Sequence, residues 1–396
     1  MIAEGSWPRK GESHPSSMFD LLLRAGRVYC PAAGLDEPGF VAVAEGRIRA
    51  AGPGVGPSAR TVHEFPDCLL LPGLVDFHGH PACRGSRYGV DPDEFFLPQG
   101  TTTVLSQGDA GAASLAEYGE TTVRAARTRV RLAINLSRRG EIGPGPCFAA
   151  REDADVSECV QAIRAARAAG VDWIWGIAVN TSLPSCGDTD PGEVLARALG
   201  AAAAVGMPLL VGLRRAADWP LEQQLPLLRP GDVVTYCFSD SPEPLVREGR
   251  VREVVWEARR RGVRFDLGHG FTSFDFGIAE TAIAEGFLPD TLSTDGYARH
   301  VGQQPPHHLP RVLSKLLAAG MSEADAFRRV TLDPAAQLGL AGEVGCLGPG
   351  AVADLALLRW NPHAPPLSDC VGAVRSGGTW EPVLTLRAGE EIAPPQ

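Results

Sequence analysis

The chain of 396 residues predicts an α/β fold, a (β/α)8 TIM barrel carrying a small β-sandwich built from both chain ends, and three observations point there. Short apolar runs alternate with longer amphipathic stretches between residues 74 and 296. Gly-rich segments with alternating apolar residues flank that region on both sides. The length also suits one large barrel with an appendage.

Residues 1–17 are polar and contain Pro, Ser and Gly, and are expected to form a disordered extension, with Met18 as an alternative start. Residues 18–71, including "FDLLLRAGRVYC" and "FVAVAEGRIRAAG", read as small antiparallel strands, the first part of the sandwich. The barrel is assigned to 72–341. Its strands are expected at 74–80, 101–109, 129–137, 171–180, 207–213, 232–238, 263–270 and 290–296, with helices between most of them at 153–169, 191–205, 243–261 and 275–286. Residues 342–396 return to complete the sandwich.

The net charge of −10, with no block of Lys or Arg, argues against a nucleic-acid partner. No run of about 18 apolar residues suggests a membrane span, and the N-terminus lacks the apolar core of a signal peptide. Nine scattered cysteines without a C-x-x-C pair suggest free thiols in a reducing compartment, so a cytoplasmic location is expected. Whether the chain forms a homo-oligomer stays open.

Chemistry first shows in "LVDFHGH". On a strand His78 and His80 share a face with Cα atoms roughly 6.5 Å apart, close enough for two imidazoles to converge on one ion. A polar strand end satisfied by its neighbours is the bland alternative for any His-x-His. In a barrel, however, strand ends form one rim, and this rim also offers Asp109, Arg138, Arg139, Glu141, Asn180, Arg214, Arg215, Tyr236, Cys237, His269 and Asp295. Asp295 and His269 are the favoured partners of the histidine pair.

"PGLVDFHGHP", "GTTTVLSQGDAG", "FDLGHG", "STDGYARH" and the closing "VTLDPAAQLGL" and "GCLGPGAVADLALL" together resemble the amidohydrolase superfamily, in particular its deacetylase, D-aminoacylase and dihydroorotase-like branch. The resemblance runs from about residue 19 to 360. It implies metal-assisted hydrolysis of an amide, ester or cyclic amide of a small molecule. It places His78, His80 and Asp295 as metal ligands, with Asp295 also taking a proton from water. It further implies a flanking β-sandwich, in agreement with the reading above.

Three positions depart from that family's pattern. Ala178 stands where a carboxylated lysine bridges two metals, and Gly212 and Tyr236 stand where two further histidines would be. A single divalent ion is therefore expected, zinc ahead of manganese or iron(II). Arg214 or Arg215 would supply positive charge in place of a second ion. The candidate catalytic groups are Asp295, His269, Tyr236 and Arg214, with Tyr236 a hydrogen-bond donor to a tetrahedral oxyanion. Arg299, His300 and Arg139 are candidates for substrate contact, while His307 and His308 read as a solvated helix start. Glu141 and Asp109 are candidate extra carboxylate ligands, and Cys237 and Cys83 read as thiols rather than ligands. Two other readings compete with the hydrolase: a binding protein that lost its metals, and a lyase or isomerase on the same scaffold.

Overall fold

A computed structural model describes residues 19–213, 219–240 and 243–393. The expected N-terminal extension and the Arg214 and Arg215 pair lie outside the described residues.

The strands of the two chain ends join in one seven-stranded sheet. It takes β1 (Phe19–Cys30), β2 (Leu35–Ala44), β3 (Arg47–Pro53) and β4 (Ala59–Pro72) from the N-terminal side. From the C-terminal side come β14 (Leu355–Asn361), β17 (Thr379–Arg387) and β18 (Glu390–Ile392). The order is β18-β17-β14-β4-β1-β2-β3, so β14 seals the N-terminal strands to the last ones. Against the antiparallel expectation, β1 and β4 run parallel. Leu23, Val41, Ile48, Leu70, Leu355 and Leu357 form its core.

The barrel sheet is parallel and runs through β5 (Leu74–Gly79), β6 (Thr101–Gln107), β7 (Arg129–Asn135), β8 (Ile174–Asn180), β9 (Leu209–Gly212), β10 (Val233–Thr235) and β13 (Arg264–Phe265). Two faces explain the apolar runs. Leu132, Ile177, Leu209 and Val211 pack against Ile163, Ala198, Ala202 and Val255 of the surrounding helices. On the opposite face Val75, Phe77, Leu105, Ala133, Ala178 and Leu210 form a separate cluster that fills the inside of the curl. Such two-sided burial gives continuous rather than alternating hydrophobic patterns.

The helices Val156–Ala168, Pro191–Val205 and Phe276–Ala284 fall where the periodicity places them. Each is capped by an Asp side chain (Asp155, Asp190, Asp275) that accepts from a first-turn N–H. The segment 243–261 is a correction: it opens with a two-stranded hairpin, β11 (Val246–Arg247) and β12 (Arg250–Val251), and only Glu253–Arg260 is helical. Two more short strands, β15 (Leu367–Ser368) and β16 (Val374–Arg375), pair with each other.

The eighth strand is also corrected. Residues 290–296 form no continuous strand; they join the barrel through two single parallel bridges, Asp266 to Thr291 and Gly79 to Gly296, and through irregularly spaced backbone hydrogen bonds, among them Leu267 N–H to Thr291 O, His269 N–H to Ser293 O and Gly270 N–H to Thr294 O. Tyr236, Gly268, Gly270 and Asp295 all have positive φ, between 48° and 66°, which interrupts regular pairing there. Two buried carboxylates reinforce these backbone contacts. Asp76 accepts from the Thr294 amide at 3.0 Å and the Thr294 hydroxyl at 2.5 Å. Burial pushes its carboxyl up to about 7. Asp266 accepts from the hydroxyls of Thr235 at 2.8 Å, Thr291 at 2.6 Å and Ser293 at 2.8 Å.

Asp266→Ala leaves those three hydroxyls without their acceptor, and at about 1 kcal/mol each it should lower stability by about 3 kcal/mol in a urea titration. A loss below about 0.5 kcal/mol would show that the seam does not depend on this carboxylate.

Candidate metal centre and active-site cavity

His78 and His80 come off the end of β5, and Asp295 off the closing run beside it, held in register by the Asp295 amide donating to His78 O at 2.7 Å. Asp295 Oδ1 lies 3.3 Å from His78 Nε2 and 3.3 Å from His80 Nε2. These three side chains are the one group among the described residues whose ligand atoms converge, all within 4.8 Å of one another.

The surroundings fix how the imidazoles are presented. The Thr235 hydroxyl gives its proton to Asp266, so toward His78 it can only accept, and His78 Nδ1–H donates to it at 2.7 Å. His80 Nδ1–H donates to Asp109 Oδ1 at 2.9 Å, and Asp109 is itself held by the hydroxyls of Ser86 and Ser106, each at 2.6 Å. Both Nε2 atoms therefore face Asp295, and His78 Nε2 is buried without a hydrogen bond. An oxygen holding Nδ1–H while Nε2 is left to meet an ion is the arrangement that metal-ligating histidines adopt.

Electrostatics agree. Burial by itself lowers the pKa of His78, but the carboxylates of Asp295 and Asp266 outweigh it and raise it to about 9. Burial likewise opposes charge on His80, and Asp109 and Asp295 lift it to about 10. Burial would raise Asp295, yet the two imidazoles hold it well below the usual carboxylate range. A permanent anion faces two groups that want positive charge, and a divalent cation answers all three. The residues present thus fit an ion.

Glycine is required beside this cluster. A Cβ on Gly270 would lie 2.5 Å from Asp295 Oδ2, and one on Gly268 would lie 2.2 Å from Thr235 Oγ1.

A cavity of about 460 Å3 opens beside His80 and Asp295, lined by Tyr88, Gln107, Glu141, Asn180, Tyr236 and Tyr297 among others. The Tyr236 ring lies 5.1 Å from that of His78, at φ +66°. Tyr88 and Tyr297 flank His80 at 5.2 and 6.0 Å. Burial raises the Glu141 carboxyl, which meets Arg87 at 3.1 Å. Ala178 is buried in β8, and at Gly212 even a Cβ would meet the Asn180 side chain at 2.8 Å. No second cluster of ligands forms among the described residues.

The other sequence candidates lie elsewhere. His269 lies four residues beyond β13, and its Nδ1–H donates to Gly270 O at 2.8 Å while its Nε2 accepts from Lys315 at 2.9 Å, so both ring nitrogens are used. Burial, with Lys315 next, pushes its pKa well below the ordinary value, and burial lowers Lys315 to about 8. Arg299 is exposed and covers the Phe271 ring at 4.8 Å. Arg139 is exposed with Asp153 4.0 Å away. His300 lines a neighbouring cavity, stacked on Phe271 at 4.2 Å. Asp109 orients His80, and Cys237 is buried with its thiol pKa raised by burial. His307 and His308 are not a solvated helix start: His308 is buried and caps the helix Leu309–Ala318, and His307, half-buried, donates to Thr294 O at 2.8 Å.

Sequence reasoning missed Thr235, Asp266 and Ser106 as supports of the histidines, and Lys315 as the partner of His269. Asp266 had a signal, an acid inside the apolar run "VRFDLG". Lys315 had none, because its helix position carries no mark of what lies across from it.

No family model matches the chain. A deacetylase of Enterococcus faecalis is 30% identical over 380 residues, spanning 94% of this chain and 98% of that protein. A crystal structure of an adenine deaminase matches with a TM-score of 0.84 at 27% identity, over 95% of this chain and 100% of that one. A dihydroorotase structure matches with a TM-score of 0.83 at 26% identity, over 94% and 97% respectively.

Proposed function

Because the chain belongs to the amidohydrolase superfamily, we propose that it hydrolyses an amide, ester or cyclic amide of a small molecule at a site built for one divalent ion, zinc ahead of manganese or iron(II). The observation that carries this reading is the orphaned Nε2 of His78, aimed with His80 Nε2 at one oxygen of Asp295.

His78, His80 and Asp295 would hold the ion. When bound, a divalent ion polarises a carbonyl and brings the pKa of water from 15.7 to about 7. Asp295 then accepts a proton from the attacking water and returns it to the leaving nitrogen or oxygen, as a carboxylate kept ionised beside two imidazoles can. Thr235 and Asp109 keep both rings turned to the ion. Tyr236 faces the cavity beside His78 and would donate its hydroxyl to the oxyanion of the tetrahedral intermediate. Tyr88, Glu141 and Tyr297 would shape the substrate pocket. Arg214, outside the described residues, is kept from the sequence as a source of positive charge. Arg299, His300 and Arg139 have a weaker claim on substrate, given their placement. His269 would position the backbone that carries Gly270 rather than touch substrate.

A panel of N-acyl amino acids, lactones and acetyl esters, each assayed with metal-free and zinc-loaded protein, tests the proposal. Metal-dependent release of acid from at least one class is expected. Binding without turnover across the panel would favour the binding-protein reading. Decarboxylation or isomerisation without hydrolysis would favour the lyase or isomerase.

Asp109→Asn should weaken metal affinity about 10- to 100-fold, because the amide no longer favours the His80 tautomer that frees Nε2. Competition against a fluorescent chelator measures this. Unchanged affinity would remove Asp109 from the design of the site.

A further inference from the structure

Behind the loop that follows Asp295 lies a second cavity, of about 790 Å3, walled by residues 300–308, by the segment Glu94–Gln99 and by β17. Its polar lining is buried and incompletely satisfied. Gln99 is 8% exposed, its Nε2 donates to Phe95 O, and its Oε1 has no partner. Arg311 is 7% exposed, and no carboxylate among the described residues lies within 4 Å of its guanidinium. It leans instead on Pro366 O at 3.0 Å and on Pro365 O and Thr379 Oγ1 at 3.4 Å each.

Two histidines add donors. The Arg311 amide donates to His308 Nδ1 at 3.1 Å, and the Tyr297 amide to His300 Nδ1 at 3.2 Å, so each ring carries its proton on Nε2. Neither Nε2 has a partner among the described residues. Glu94 and Glu381 line the same cavity, as do Phe95 and several prolines. Cation and hydrogen-bond donors, an orphan acceptor with nearby carboxylates, and an apolar wall thus occur together.

We propose that this cavity is a second small-molecule site that takes an amino acid with an apolar side chain, its carboxylate on Arg311 and its ammonium toward the Glu381 and Glu94 carboxylates that line the same wall. A planar guanidinium matches a carboxylate with paired hydrogen bonds, and carboxylates on the same wall give an ammonium its charge partner. The site lies against the first cavity. His300 packs 4.5 Å from Tyr297, which lines that cavity, and His307 Nε2–H donates to Thr294 O at 2.8 Å, one residue before Asp295.

Calorimetric titration of the full chain with L-phenylalanine tests this, with L-phenylalaninol and 3-phenylpropanoate as probes lacking the carboxylate and the ammonium. Phenylalanine is expected to bind at millimolar concentration or below, and each analogue at least tenfold more weakly. Arg311→Met should weaken binding tenfold or more. Gln303→Trp, which fills the cavity from its partly exposed loop without touching a buried polar group, should do the same if Arg311→Met fails to fold. His80→Ala should leave binding unchanged. The proposal is overturned if phenylalanine does not bind, if phenylalaninol binds as tightly, if Gln303→Trp has no effect, or if His80→Ala abolishes binding.

Discussion

Asp295→Asn is expected to empty the centre of metal and to lower kcat/KM by roughly 10^3-fold or more, the combined loss of a ligand and of a proton acceptor. Both imidazoles face a single oxygen of this residue, and the cluster holds no other acid. A neutral amide would keep the shape while removing the charge that draws an ion between two imidazoles. Folding should survive, because the contact that holds residue 295 in place is backbone, its amide to His78 O. Its φ of +48° is also a conformation asparagine tolerates better than most residues. Elemental analysis and steady-state kinetics on the same preparation read both effects. Full metal content in the variant would mean that the ion is held elsewhere.

The second large effect is on metal removal. Dialysis against a chelator should abolish turnover, and zinc or manganese should restore it with a stoichiometry of one ion per chain. Ala178 and Gly212 offer no donor atom, and β9 has no room at Gly212 even for a methyl group. Two ions per chain would show that other groups, Glu141 foremost, complete a second site. Loading should also stabilise the fold, by about 4 kcal/mol at a free ion concentration a thousand times Kd. A melting temperature indifferent to zinc would argue against any tight site.

Much of this was legible from residue order. The apolar runs fix seven of the barrel strands because strands buried on both faces carry few polar residues. His78, His80 and Asp295 could be paired from sequence because a barrel gathers its strand ends. What resisted reading was whatever depends on non-repetitive backbone. Residues 243–261 carry helical spacing, yet Gly249 at φ +72° turns the first part into a hairpin. His269 was expected at a strand end, but β13 stops at Phe265 and the ring turns to Lys315 on a helix 46 residues later, a choice made by packing. The burial of His308, and of part of His307, likewise depends on a loop path that no local pattern announces.

The closing junction of the barrel has a dynamic consequence. β5 to β10 are stitched by regular ladders, whereas residues 290–296 are held by isolated bridges, irregularly spaced backbone hydrogen bonds and the Asp76 and Asp266 carboxylates. Local opening follows the weakest set of contacts, so this edge is where the cylinder should breathe first, and its amide protons should exchange ahead of those of β6 to β8. His78 and His80 sit on one lip of that junction and Asp295 on the other. Drawing the three together would close the lips like a clasp, so that occupancy of the centre and order of the barrel wall rise and fall as one.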